Sequence, residues 1–224
     1  MLKPVTITEY PNLNPDGKQA VKIEYFFDCS SPWTYLSFVR VCKLLARYSF
    51  DLTLRPILVG GIFNTINPSV YEARDHPVPA KENYYDKDLA DWAEYEGIII
   101  GSPSVFPVNS VKAMRGCFVA EEAGLALPYI EACFRRYWRD LEDISDDRVL
   151  GSILEEVGLN ATEFFETIGT DPYKNKLRQN TEELICRGGF GSPTFFLNES
   201  DMYFGNDRLM LIERKLKEAA DELV

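Results

Sequence analysis

Residues Ile23 to Leu36 narrow the fold more than any other stretch. An apolar run from Ile23 to Phe27 breaks into Asp28-Cys29-Ser30-Ser31, and Pro32 then opens a long amphipathic segment. That order predicts a strand, a tight turn and a helix. Ser31 stands where an N-cap belongs, and Pro32 at the first helical position, where a missing N–H is harmless. A helix that begins at the carboxyl end of a strand offers free amide donors and the positive end of its dipole. Such a place can hold an anion, a thiolate included.

The chain that follows supplies partners for this start. Leu36, Val39, Cys42 or Lys43, and Leu45-Ala46 form an inward stripe, predicting a helix over 32–48. A second strand is predicted from Leu52 to Leu58, and strand–helix–strand implies a parallel pair with a right-handed crossover. After Gly60-Gly61 the pattern reads as irregular to about Pro79, then as helices near 81–96, 109–123, 128–141, 146–157, 161–168 and 172–187. Asn160 with Glu163 reads as a capping box, Asp171-Pro172 as a cap followed by proline, and Gly188-Gly189 as a helix end. Strands return at Thr194–Leu197 and at Met202-Tyr203-Phe204, around a turn. A last helix over 207–223 is capped by Asn206 or its neighbour.

The predicted order is β-α-β, a helical block, then β-β-α. This is an α/β chain with a thioredoxin-like fold and a large all-helical insertion. The expected division is a surface extension over 1–20, a thioredoxin-like domain over 21–64 and 188–224, and a helical insertion domain over 65–187.

Charge and cysteine use remove several functions. A net charge of −11 argues against nucleic acid and against an anionic membrane surface, though a few local cations can still bind a small anion. No apolar run is long enough to span a bilayer, and nothing in Met1 to Ala20 marks export, so a cytoplasmic location is expected. The five cysteines at 29, 42, 117, 133 and 186 include no pair with redox or zinc spacing, so neither a disulfide framework nor a metal site is expected. The single histidine, His76, lies in a Pro-rich polar segment, which sets aside Ser-His-Asp and Cys-His mechanisms.

Three motifs then carry a resemblance. They are Asp28 through Ser31-Pro32 to Tyr35, Gly191-Ser192-Pro193-Thr194, and Gly205-Asn206-Asp207-Arg208-Leu209. In this order, around a helical insertion, the chain from about Lys22 to Leu223 resembles the kappa-class glutathione transferases and the 2-hydroxychromene-2-carboxylate isomerases. These are relatives of the DsbA-type thiol oxidoreductases, so a DsbA-like fold is implied. Thiol oxidoreductases begin the helix with Cys-Pro-x-Cys, where this chain has Ser31, Pro32, Trp33 and Thr34. Disulfide exchange there is chemically unavailable.

The resemblance implies that glutathione brings the sulfur and that Ser31 is catalytic, donating a hydrogen bond to the thiolate. The helix N-terminus would favour the same charged form. Pro193 is implied to be cis, and Ser192 to present its backbone to the cysteinyl part of glutathione as an added strand would. Asn206 and Asp207 are implied to meet the γ-glutamyl carboxylate and ammonium, with Arg208 beside them. An asparagine after Gly60-Gly61-Ile62-Phe63 is implied as a further contact; Asn67 matches the context better and Asn64 is the other candidate. Each motif also has a plain reading: an N-cap, a strand-opening proline, and a capped helix with a first-turn acid.

The implied reaction is an isomerisation in which the glutathione thiolate adds reversibly to an aromatic conjugated 2-oxo acid. The asparagine of the third motif favours it. The alternatives are a kappa-class transferase or peroxidase and a non-catalytic thioredoxin-like binding module. The implied partners are glutathione and a small hydrophobic or aromatic electrophile, with a homodimer as the assembly. Phe106-Pro107 with Asn109-Ser110 resembles a family segment near the electrophile. The aromatics Tyr84, Tyr85, Trp92 and Tyr95 are expected to serve a core or interface, and Cys29 to be a small buried residue.

Overall fold

A single four-stranded sheet runs in the order β2-β1-β3-β4 in the computed structural model, which describes residues 21–221. The strands are β1 (Lys22–Phe27), β2 (Asp51–Pro56), β3 (Thr194–Leu197) and β4 (Asp201–Phe204). The pair β1 and β2 is parallel, as the intervening α1 (Pro32–Leu45) requires, while β3 lies antiparallel to β1 and β4 to β3. Tyr25, Phe26 and Phe27 are fully buried, which places β1 inside the sheet with both faces covered. On one face the Tyr25 and Phe195 rings stack with centroids 4.7 Å apart; on the other Phe26 meets Phe196 edge-on at 5.7 Å. Each such buried ring stabilises the fold by roughly 1.5–3 kcal/mol.

Between β2 and β3 the chain forms α2 (Val59–Thr65), α3 (Ser69–Asp75), α4 (Pro79–Glu96), α5 (Val111–Glu122), α6 (Ala126–Phe134), α7 (Asp147–Val157), α8 (Ala161–Ile168) and α9 (Asp171–Cys186). A π-helical turn, Arg135–Arg139, extends α6. After β4 a 3-10 turn, Asn206–Arg208, leads into α10 (Leu209–Asp221). The helix α1 lies between sheet and insertion: Tyr35 stacks on Phe134 of α6 at 5.2 Å, and Phe38 packs on the same ring at 5.4 Å. Among the described residues no helix is long and apolar enough to cross a membrane.

Several expectations need correction. The stretch expected to be irregular holds α2 and α3. Gly60 and Gly61 fall in the first turn of α2, where tertiary packing replaces propensity: Ile62 is buried with Phe26 and Leu184. The first helix stops at Leu45, and the helix expected to reach 141 ends in the π-turn at Arg139. Thr170, not Asp171, holds the cap position of α9. Asn160 does cap α8, accepting from Thr162 N and Glu163 N at 3.0 and 3.2 Å. Of Asn206 and its neighbour, it is Gly205, at φ 102°, that holds the cap position of the 3-10 turn, and Asn206 lies buried inside it. Of the α4 aromatics expected to serve a core or interface, Tyr84, Tyr85 and Tyr95 are exposed and so not core, the last at 73%, while Trp92 is half-buried under Arg40. The extension expected over 1–20 lies outside the described residues.

Candidate active site

At the carboxyl end of β1 the chain turns through Asp28 to Ser31, closed by Ser31 N–H donating to Asp28 O at 3.2 Å. Ser31 is the N-cap of α1: its Oγ accepts from Thr34 N at 3.3 Å, and Pro32 opens the helix. Its hydroxyl points toward Ser192 O at 3.5 Å, a long contact that holds the proton weakly. Ser31 is half-buried.

The second motif meets the first directly. The Ser192–Pro193 peptide is cis. Ser192 Oγ accepts from Asp28 N at 3.1 Å and lies 2.8 Å from Thr34 Oγ1. The third motif joins through Gly205, whose N–H donates to Pro193 O at 3.0 Å. Ser31, Ser192, Pro193 and the start of the Asn206–Arg208 turn are thus brought together from three distant parts of the chain, and that turn packs against α1.

Within the turn, Asn206 is buried and its Nδ2 has no hydrogen-bond partner among the described residues. A buried amide donor left so is costly, on the order of 1–3 kcal/mol. Asp207 is paired with Arg208 and partly exposed. Its carboxylate lies over Gly205, where an added Cβ would come 2.8 Å from Asp207 Oδ1. Asn67 reaches the loop just ahead of Ser192, donating from Nδ2 to Phe190 O at 3.1 Å while its Oδ1 accepts from Ser69 Oγ at 2.8 Å. Asn64 is exposed on α2.

Two residues at this site carry more than the motifs assigned them. Thr34, in the place of a second cysteine, is fully buried and ties α1 to Ser192. Asp28 is 1% exposed. One carboxylate oxygen accepts from Ser30 N and the other from Val59 N, both at 2.9 Å, and the Ser110 side chain bonds it as well. Burial pushes its pKa up, against the lowering effect of these donors. The signal available in the sequence was an acid set between Phe26-Phe27 and Cys29, all of them buried.

Cys29 is fully buried as expected, and burial beside Cys133 and Cys117 pushes its thiol well above the ordinary range. It is a poor nucleophile. His76 is exposed at the end of α3.

A family model described as a DSBA-like thioredoxin domain matches residues 22–217. The 2-hydroxychromene-2-carboxylate isomerase of Pseudomonas putida is 29% identical over 195 residues, spanning 85% of this chain and 92% of that protein. Glutathione S-transferase kappa 1 of Homo sapiens is 27% identical over 212 residues, 88% of this chain and 91% of that protein. A solved structure of a 2-hydroxychromene-2-carboxylate isomerase superposes with a TM-score of 0.77 at 23% identity, covering 90% of this chain and 97% of the other.

Proposed function

The chain belongs to the DSBA-like thioredoxin domain family, and on that premise we propose that it is a glutathione-dependent isomerase acting on an aromatic conjugated 2-oxo acid. One observation carries the reading. The helix N-terminus that would hold a reactive sulfur presents Ser31, with Thr34 turned into Ser192, while nearby Cys29 is buried and poorly ionisable. The sulfur therefore comes from outside the chain. Relatives named as isomerases and as kappa transferases support an enzyme of this kind.

The site suits glutathione on its own terms. Asn206 Nδ2 is a donor in want of an acceptor, at a turn where carboxylates are favoured. Asp207 offers a carboxylate for an ammonium, Arg208 lies beside it, and Ser192 and Pro193 line the approach to Ser31. Asn67 holds the loop before Ser192 and would reach the ligand by exchanging its present bonds.

What glutathione supplies when bound is a thiolate nucleophile, returned unchanged at the end of turnover. The chain's own part is electrostatic and positional. Thr34 N–H donates to Ser31 Oγ, which sharpens the Ser31 hydroxyl as a donor. That hydroxyl leaves its weak contact with Ser192 O to bond a sulfur, and the freed carbonyl can then accept a ligand amide. The positive end of α1 favours negative charge at the same point. In this reading residues 21–64 and 188–224, joined by Asn67, form the thiol site, and the insertion over 65–187 builds the pocket for the second substrate.

Calorimetric titration of glutathione into the wild type and Asp207→Ala tests the assignment. Binding weakened by the substitution supports it, and equal binding to both breaks it. The kappa relative makes a transferase the second reading. Net glutathione loss with an electrophile would select it over the isomerase. No binding at all would select the non-catalytic module.

A further inference from the structure

The helical insertion grips the Ser31 turn at Cys29 from two sides, besides the Ser110 bond to Asp28. Its N–H donates to Met114 Sδ on α5 at 3.4 Å, and its carbonyl accepts from Trp138 Nε1 at 2.9 Å. A buried indole N–H needs some acceptor, and any core carbonyl would serve. This carbonyl has a particular consequence. It belongs to the peptide between Cys29 and Ser30, whose N–H is held at the opposite side by Asp28 Oδ1 at 2.9 Å. A planar peptide bonded at both its C=O and its N–H has its orientation fixed. The next residue is Ser31.

Trp138 is 3% exposed and lies in the π-helical turn, a feature often found at functional sites because its extra residue re-aims the side chains around it. The same turn anchors the loop before α5. Trp138 O accepts from Gly101 N at 2.7 Å, Tyr137 Oη donates to Val105 O at 2.8 Å, and the Trp138 ring meets Phe106 at 6.1 Å. Phe106 is 49% exposed, so its ring also faces solvent. Trp138 therefore touches the exposed aromatic edge of the insertion with one side and the Ser31 turn with the other.

We infer that Trp138 is a positioning residue for the chemistry at Ser31, holding the Cys29–Ser30 peptide so that the Ser31 hydroxyl is aimed at the incoming sulfur. The inference rests on the proposed role of Ser31. Misplacement of a catalytic group by about 1 Å can cost about a hundredfold in rate. Loss of one neutral hydrogen bond in the supporting turn should cost less, about tenfold.

The test is Trp138→Phe, which keeps a ring and removes the N–H, with Phe106→Ala as a variant on the solvent side that spares the core. Three quantities are read: glutathione affinity, the pH at which the bound thiol ionises (from thiolate absorbance), and amide hydrogen exchange in the ligand-free protein. Trp138→Phe is expected to hold affinity within about twofold, raise the pH at which the bound thiol ionises by up to about one unit, and speed exchange over residues 30–34. Phe106→Ala should move the same quantities in the same direction by less. A lowered melting temperature with unchanged thiol ionisation and unchanged exchange in the turn would overturn the inference. If Trp138→Phe does not fold, absence of any effect in Phe106→Ala overturns it. Failure of the wild type to bind glutathione would refute the proposed function instead, and the exchange measurement would still decide whether Trp138 holds the turn.

Discussion

The hydroxyls of Thr34 and Ser192 lie 2.8 Å apart although 158 positions separate them in the chain. Their bond fixes the first turn of α1 against the cis-proline loop. Thr34→Val keeps the shape and removes the hydroxyl, leaving Ser192 Oγ with Asp28 N–H alone. The expected cost is about 1 kcal/mol, or a melting temperature lower by about 2–4 °C for a chain of this size. Glutathione affinity should fall several-fold as Ser192 loosens. Thermal unfolding and calorimetry check both; unchanged values would mean that the bond supports neither fold nor site.

Asp28 sets one pH dependence. Its folded-state pKa is raised from the ordinary 3.8, chiefly by burial, so the native state binds the proton more tightly than the unfolded chain. Its contribution is greatest below the ordinary carboxylate range and shrinks as pH rises through the raised value. Asp28→Asn cannot lose a proton, and it sets an amide N–H2 where the carboxylate accepted a backbone N–H. The wild type should therefore be the more stable, with an advantage that narrows on going from acid to neutral pH. Melting temperatures of the pair across that range decide it, and an advantage that widens would contradict the assignment.

Glu24, four positions earlier, has the opposite slope. Burial alone would raise its pKa, but hydrogen bonds from Arg187 (2.6 Å) and Arg55 (2.7 Å), with their charges, outweigh that and lower it from 4.5. Its contribution is present above 4.5 and is lost as pH falls through the lowered value. Glu24→Gln should narrow the stability gap between neutral and acid pH. Urea unfolding at both pH values measures this, and an unchanged gap would show that the two arginines do not favour the ionised form.

How much of this was legible beforehand follows from what local patterns encode. Strand ends were legible because Asp28 ends an aromatic run and Pro193 stands just before one, and the start of α1 because Ser31-Pro32 is a cap signature. The helices α2 and α3 were not. Gly60 and Gly61 read as breakers, and Ile62 is the one fully buried side chain of α2, too few for a helical period. The π-turn was hidden because Arg135-Arg136-Tyr137-Trp138-Arg139 continues a helical composition. Which of Asn206 and its neighbour caps the turn was not legible: Gly205 takes the position, and Asn206 is buried with an unpartnered amide. The roles of Thr34 and Trp138 depend on partners over a hundred residues away, which no local window contains.

If Ser31 stabilises a thiolate supplied by glutathione, the ionisation of the bound thiol must differ between the wild type and Ser31→Ala. A hydrogen bond to a charged group contributes about 1.5–3 kcal/mol, so the substitution should raise the bound thiol's pKa by about one to two units. Loss of the cap should lower stability by about 1 kcal/mol besides. The wild-type thiol should ionise well below the ordinary value of about 8.5 and return toward it in Ser31→Ala. A bound thiol with an ordinary pKa in the wild type, or a lowered one untouched by Ser31→Ala, would contradict it.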